Sequence, residues 1–190
     1  MKIAEIEYTP NPNAVKFVLK ESITPMGVTR HFSDIEAAKS SPLAEQLLSL
    51  DGVISVFFAD RWLTVTQDGA QDWPELLRAI ATPIRAAVVE DALPDAATAL
   101  AEAGEDPEIF GQGLDDPRIP MIQEVIDDHI MPFLQSDGGG LEIVALVENR
   151  LMIRYQGACG TCPASLTGTL MAIENLVQME VDPELEVITL

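Results

Sequence analysis

The sequence predicts an α+β protein built as two small domains of mixed helices and strands, joined by an acidic linker. Three observations lead there. Residues 91–116 carry eight acids and no base and are rich in Ala, Gly and Pro, which is linker composition. On either side of that stretch, runs with a two-residue period stand beside runs with a helical period. The 190 residues are 47% hydrophobic, long for one compact domain and sufficient for two small cores. The expected division is therefore 1–90, a linker over 91–116, and 117–190. As a random coil the 26-residue linker would span roughly 28 Å, enough for the two domains to move independently.

In the first domain, Ile3–Tyr8 and Ala14–Leu19 read as strands, separated by the turn chemistry of Thr9-Pro-Asn-Pro-Asn13. Ser33 or Asp34 caps a helix start, and Pro42–Leu48 continues as helix until Asp51-Gly52. Val53–Phe58 and Trp62–Thr66 flank Ala59-Asp60-Arg61 as a hairpin, whose Phe57, Phe58 and Trp62 read first as core and second as a contact surface. Trp73-Pro74 opens a helix to about Val89, with Pro83 expected to kink or break it.

The second domain reads helix, strand, strand, helix, strand. Ile122, Ile126, Ile130 and Phe133 give the first helix an apolar face at spacings of four, four and three, and Asp137-Gly138-Gly139-Gly140 ends it. Leu141–Val147 and Leu151–Tyr155 form a hairpin through Glu148-Asn149-Arg150. Leu166, Leu170, Ile173 and Val177 face the core from a helix over about Pro163–Met179, and Leu185–Leu190 closes the sheet. Tyr155, Met152, Met171 and Met179 are expected to pack.

Charge excludes some roles. Thirty-one acids against eleven bases leave a formal −20, which repels phosphate backbones and anionic membrane surfaces. Neither nucleic acid nor membrane is an expected partner, and no run of 18 apolar residues spans a bilayer. The alternating start lacks the apolar block of a signal peptide, so a cytoplasmic location is expected.

Chemistry concentrates in Gly157-Ala-Cys159-Gly-Thr-Cys162-Pro163, which holds the only two cysteines of the chain as C-x-x-C. The motif falls between a strand and a helix start, where unpaired N–H groups and the helix dipole favour thiolates. Three readings stand at this point. The pair is two ordinary loop thiols, a dithiol oxidoreductase, or half of a soft metal site. A thioredoxin-like motif follows the first strand of a larger βαβ core, whereas this one follows a hairpin in a small domain. Zinc and iron–sulfur sites take four ligands. His31 lies in the other domain, and His129 sits on a helix where packing or exposure is the simpler role. A second copy of the chain completes a Cys₄ set most simply.

The run Gly157-Ala-Cys159-Gly-Thr-Cys162-Pro-Ala-Ser165-x-x-Thr167, preceded by Pro132-x-x-x-x-Asp137-Gly-Gly139, resembles the NifU C-terminal domain over nearly all of 117–190. The stretches Thr9-Pro-Asn-Pro-Asn-Ala-Val-Lys-Phe17, Ser41-Pro-Leu-Ala44, Gly52-Val-x-x-Val-Phe57 and Thr64-Val65 resemble the Nfu N-terminal domain. Gly140 departs from the family pattern, which often has an acid after Asp-Gly-Gly. The resemblance implies an Nfu-type scaffold and carrier that is not an enzyme. It implies one [4Fe–4S] cluster, or a [2Fe–2S] form, shared by a homodimer through Cys159 and Cys162 of each chain. It also implies transfer of that cluster to apo iron–sulfur proteins, contact with assembly factors, and a backbone-shaping role without metal for Asp137, Gly138 and Gly139. The other reading kept is a C-x-x-C thiol–disulfide oxidoreductase.

Overall fold

The structure, a computed structural model, describes residues 1–92, 111–161 and 168–190. The chain divides into two compact units, Met1–Ala103 and Gly104–Leu190. Both mix helices and strands, so the protein is α+β as the sequence predicts.

The first unit holds a five-stranded antiparallel sheet made of β1 (Ile3–Tyr8), β2 (Ala14–Leu19), β3 (Thr29–Phe32), β4 (Val53–Ala59) and β5 (Trp62–Gln67), in the order β1-β2-β5-β4-β3. Alternation sets its core face: Val15, Phe17 and Leu19 of β2, Val56 and Phe58 of β4 and Leu63 and Val65 of β5 all join one cluster. The helices α1 (Ile35–Ala38), α2 (Pro42–Leu48) and α3 (Trp73–Ala86) supply Ala38, Leu43, Leu47, Leu76, Ile80 and Ile84 to the same cluster. Each fully buried large side chain of this kind is worth about 1.5–3 kcal/mol relative to exposure. Asp34, rather than Ser33, caps α1, its carboxylate accepting from the Glu36 and Ala37 N–H groups. Ser41 caps α2 through the Ala44 N–H.

Two expectations change here. β3 has no counterpart in the sequence reading. Pro83 lies within α3, which continues through it and ends at Ala86 rather than near Val89. Phe57 and Phe58 are fully buried, as the core reading expects, and the half-buried Trp62 lies tilted against Phe57 with ring centroids 5.4 Å apart.

The second unit holds a three-stranded sheet in the order β6-β7-β8. The strands β6 (Gly139–Val147) and β7 (Arg150–Gly157) are antiparallel, and β8 (Glu186–Thr189) runs parallel to β7. A bulge lies between Ile143 and Ala145. It shifts the core-facing phase of β6 from odd to even positions, so Leu141 faces the core opposite Tyr155 while Leu146 does so opposite Leu151. Ile122 and Ile126 of α4 (Ile119–His129), Leu134 of α5 (Met131–Ser136), and Ile173 and Val177 of α6 (Leu170–Glu180) complete this core.

The expected first helix is two helices that part at Ile130, where φ is −113° and ψ −48°, with Pro132 in the first turn of α5. The break resets the helical phase. Leu134 takes the buried position, while Phe133 is 72% exposed and leaves the predicted face. Met171 and Met179 are also exposed rather than packed. Each stands two residues from Ile173 or Val177, which is about 200° around the helix from the buried stripe. Leu166 lies outside the described residues.

Of the stretch expected as linker, Gly111 and Gln112 hydrogen-bond to β6: the Gly111 N–H donates to Val144 O at 3.0 Å, and the Leu146 N–H donates to Gln112 O at 2.8 Å. Arg118 then joins three turns. It donates to both carboxylate oxygens of Asp116, to Asn149 Oδ1 and Asp182 Oδ2 at 3.0 Å each, and to the Glu148 carbonyl at 2.7 Å.

Candidate functional site

The site forms where β7 ends. Gly157 has φ +63°, a left-handed turn that suits glycine, and Ala158–Thr161 follow as a single 3-10 turn carrying Cys159. The Ala158 N–H donates to Gly138 O at 3.2 Å, tying this turn to the start of β6. The sequence reading placed both thiols at an α-helix N-terminus. Cys159 stands on the 3-10 turn, and the helix start expected at Pro163 lies outside the described residues. Cys162 lies outside the described residues.

Gly139 makes the seat for the sulfur. It pairs directly with Gly157 across the hairpin. A Cβ at Gly139 would lie 2.5 Å from Cys159 Sγ, 2.9 Å from Cys159 Cβ and 2.7 Å from Gln156 O. Hydrogen is the only side chain that leaves this space. Paired residues and their neighbours two positions on share one face of a sheet. The sulfur therefore rests on the face that carries Leu141 and Tyr155, one row away from that pair. This is the core face, and Cys159 is only 1% exposed.

Tyr155 sits in that core with its hydroxyl oxygen buried and without a hydrogen-bond partner among the described residues. Burial, and then the negative charge of Cys159, push its hydroxyl up to about 12. It is therefore a neutral O–H donor across the physiological range. On the other face of the hairpin, Gln156 Nε2 donates to Glu142 Oε2 at 3.0 Å. Burial raises the Glu142 carboxyl, opposed by the nearby Arg154 charge and by this hydrogen bond.

The two histidines stand elsewhere. His31 lies against Phe57 with ring centroids 6.3 Å apart, and His129 is exposed in the last turn of α4. Among the described residues no group of three or more His, Cys, Asp or Glu is placed to hold a metal ion. Within one chain the local chemistry is thus a soft thiol donor, a gap left by Gly139 and a phenol hydroxyl seeking an acceptor. The sequence identified Cys159 and Gly139 through their motifs. Tyr155 was read only as packing, although a phenol tip in a buried strand is itself a signal that a polar partner is needed.

Two family models match the chain, "Scaffold protein Nfu/NifU N terminal" over residues 3–91 and "NifU-like domain" over residues 122–188. A protein named "NFU1 iron-sulfur cluster scaffold homolog, mitochondrial" from Drosophila willistoni is 32% identical over 180 residues, covering 94% of this chain and 60% of the relative. Its namesake from Drosophila persimilis is 31% identical, covering 94% of this chain and 61% of the relative. The chain thus spans about three fifths of the length of these curated relatives. The crystal structure of protein SAV1430 from Staphylococcus aureus superposes with a TM-score of 0.41 at 24% identity, covering 44% of this chain and 99% of that one.

Proposed function

Because the chain belongs to the Nfu family, we propose that it is a scaffold and carrier of iron–sulfur clusters and not an enzyme. The cargo is one [4Fe–4S] cluster, with [2Fe–2S] as the alternative form. Two copies of the chain hold it through Cys159 and Cys162 of each. Each chain offers two thiolates, half of what a cubane cluster takes from protein, and a two-fold axis supplies the other half. The single observation behind this reading is the Cys159 sulfur seated against Gly139 at the end of the hairpin, where any larger residue would occupy its place.

Delivery in this reading is ligand exchange. A client thiol displaces one carrier thiolate at one iron, so one iron–sulfur bond forms as another breaks. The client's proton passes to the released carrier thiolate, no electron moves, and no nucleotide is consumed. The first unit recognises assembly factors and apo-client proteins. We place this work in the cytoplasm, while noting that the relatives carry mitochondrial names. No helix among the described residues is long and apolar enough to cross a membrane.

Anaerobic reconstitution with iron and sulfide, followed by Mössbauer spectroscopy, tests the proposal. The expected product is a [4Fe–4S] spectrum that either Cys159→Ser or Cys162→Ser abolishes. Full iron and sulfide content in either variant would mean that another ligand exists and would defeat the Cys₄ assignment. Reduction of insulin disulfides by a protein that retains no iron would instead favour the thiol–disulfide oxidoreductase.

A further inference from the structure

We infer that the Tyr155 hydroxyl donates a hydrogen bond to sulfur at the cluster site and thereby slows loss of the cargo. The inference rests on the carrier reading above. Its first support is the orphaned oxygen. A buried hydroxyl without a partner forfeits its hydrogen bond to water, so native structures satisfy nearly all such groups. The oxygen of Tyr155 has no partner among the described residues, and the side chain is 7% exposed.

The second support is register. Tyr155 pairs with Leu141, and Gly157 pairs with Gly139 one row further along the same face. The Cys159 sulfur lies 2.5 Å from where a Cβ of that next row would stand. Adjacent rows on one face of a sheet are about 7 Å apart. Tyr155 and Cys159 belong to the same core cluster, on the face where the sulfur is seated. A phenylalanine would fill the apolar space equally well, so packing alone does not call for the hydroxyl.

The third support is chemical. Thiolates and bridging sulfides are acceptors only, and hydrogen bonds to cluster sulfur are among the levers that set cluster potential. A phenol, whose ordinary pKa is about 10, is a donor for such bonds throughout the working range.

The test compares the parent chain with Tyr155→Phe and Tyr155→Leu, each reconstituted anaerobically. Cluster loss to a chelator, cluster reduction potential and the apo-protein melting temperature are measured on all three. Removing the hydroxyl should speed cluster loss roughly tenfold, the scale of one hydrogen bond to a charged acceptor. It should also lower the reduction potential and leave the apo melting temperature unchanged or higher. Tyr155→Leu should lose cluster at least as fast. Loss from Tyr155→Phe within twofold of the parent overturns the inference, whether or not Tyr155→Leu is faster, because the ring and not the hydroxyl then matters. A lower apo melting temperature with unchanged cluster loss places the acceptor within the protein and also overturns it. A parent that retains no cluster sinks the carrier reading and this inference together. A parent that retains cluster beside an indifferent Tyr155→Phe sinks the inference alone.

Discussion

Gly139 is the position where the site leaves least room for change. Its missing Cβ would sit 2.5 Å from Cys159 Sγ and 2.7 Å from Gln156 O. The sulfur could retreat, but the backbone carbonyl is fixed by the β6–β7 ladder. Gly139→Ala should therefore cost about 1–3 kcal/mol of stability through overpacking and should lower cluster retention sharply. Urea titration and iron content of the reconstituted protein check the two effects. Unchanged values for both would mean that the sulfur does not occupy this seat. The cysteine pair and the Asp-Gly-Gly run were legible in the sequence because their spacing is itself the signal. The seat was not, because it exists only once hairpin register sets Gly139 opposite Gly157. Tyr155 was hidden for the same reason, since its place on the face that carries the sulfur depends on the pairing of Leu141 with Tyr155.

Among the elements, those with clean periodicity were the readable ones. The β1, β2, β4 and β5 strands and α2 were legible from alternation, caps and turn residues. β3 was not. Its four residues, Thr-Arg-His-Phe, include two bases, and they become a strand by pairing with the apolar β4. The parting of α4 from α5 was legible only as the late Pro132, because helical spacing from Ile130 reaches both Phe133 and Leu134, and only the break selects Leu134. Arg118 shows how these elements are pinned, since it reaches the turn before α4, the β6–β7 turn and the α6–β8 turn. Its guanidinium lowers the Asp116 carboxyl. Asp182 is lowered first by the Glu184 N–H and next by Arg118. A carboxylate held below its ordinary value adds stability above about pH 4, and that stability is lost as the pH falls through the lowered value. Arg118→Ala should therefore lower the melting temperature at pH 7. The gap between variant and parent should close as the pH falls through the lowered values of Asp116 and Asp182. Calorimetry across this range checks it, and a gap undiminished at acid pH would assign the effect to packing of the Arg118 stem.

At the scale of the whole molecule, charge and cargo oppose each other. A chain at −20 repels its own copy within a Debye length, about 8 Å at physiological salt. Residues 117–190 contribute a net −8 to that charge, with 11 acids against three bases. Nothing in that balance favours association of the apo-protein. A cluster changes it, because each copy donates two sulfurs to one inorganic core and the metal–thiolate bonds outweigh screened repulsion between surfaces. Association should therefore follow loading. Anaerobic analytical ultracentrifugation should show a dimer with close to four irons per pair of chains, and chelation should return monomer. Raising the salt concentration should shift the loaded protein modestly further toward dimer by screening the acids, with little effect on the cluster bonds. A monomer that retains a full cluster would require thiols from outside the protein as ligands. It would end the bridging model while leaving the Gly139 seat and the place of Cys159 intact.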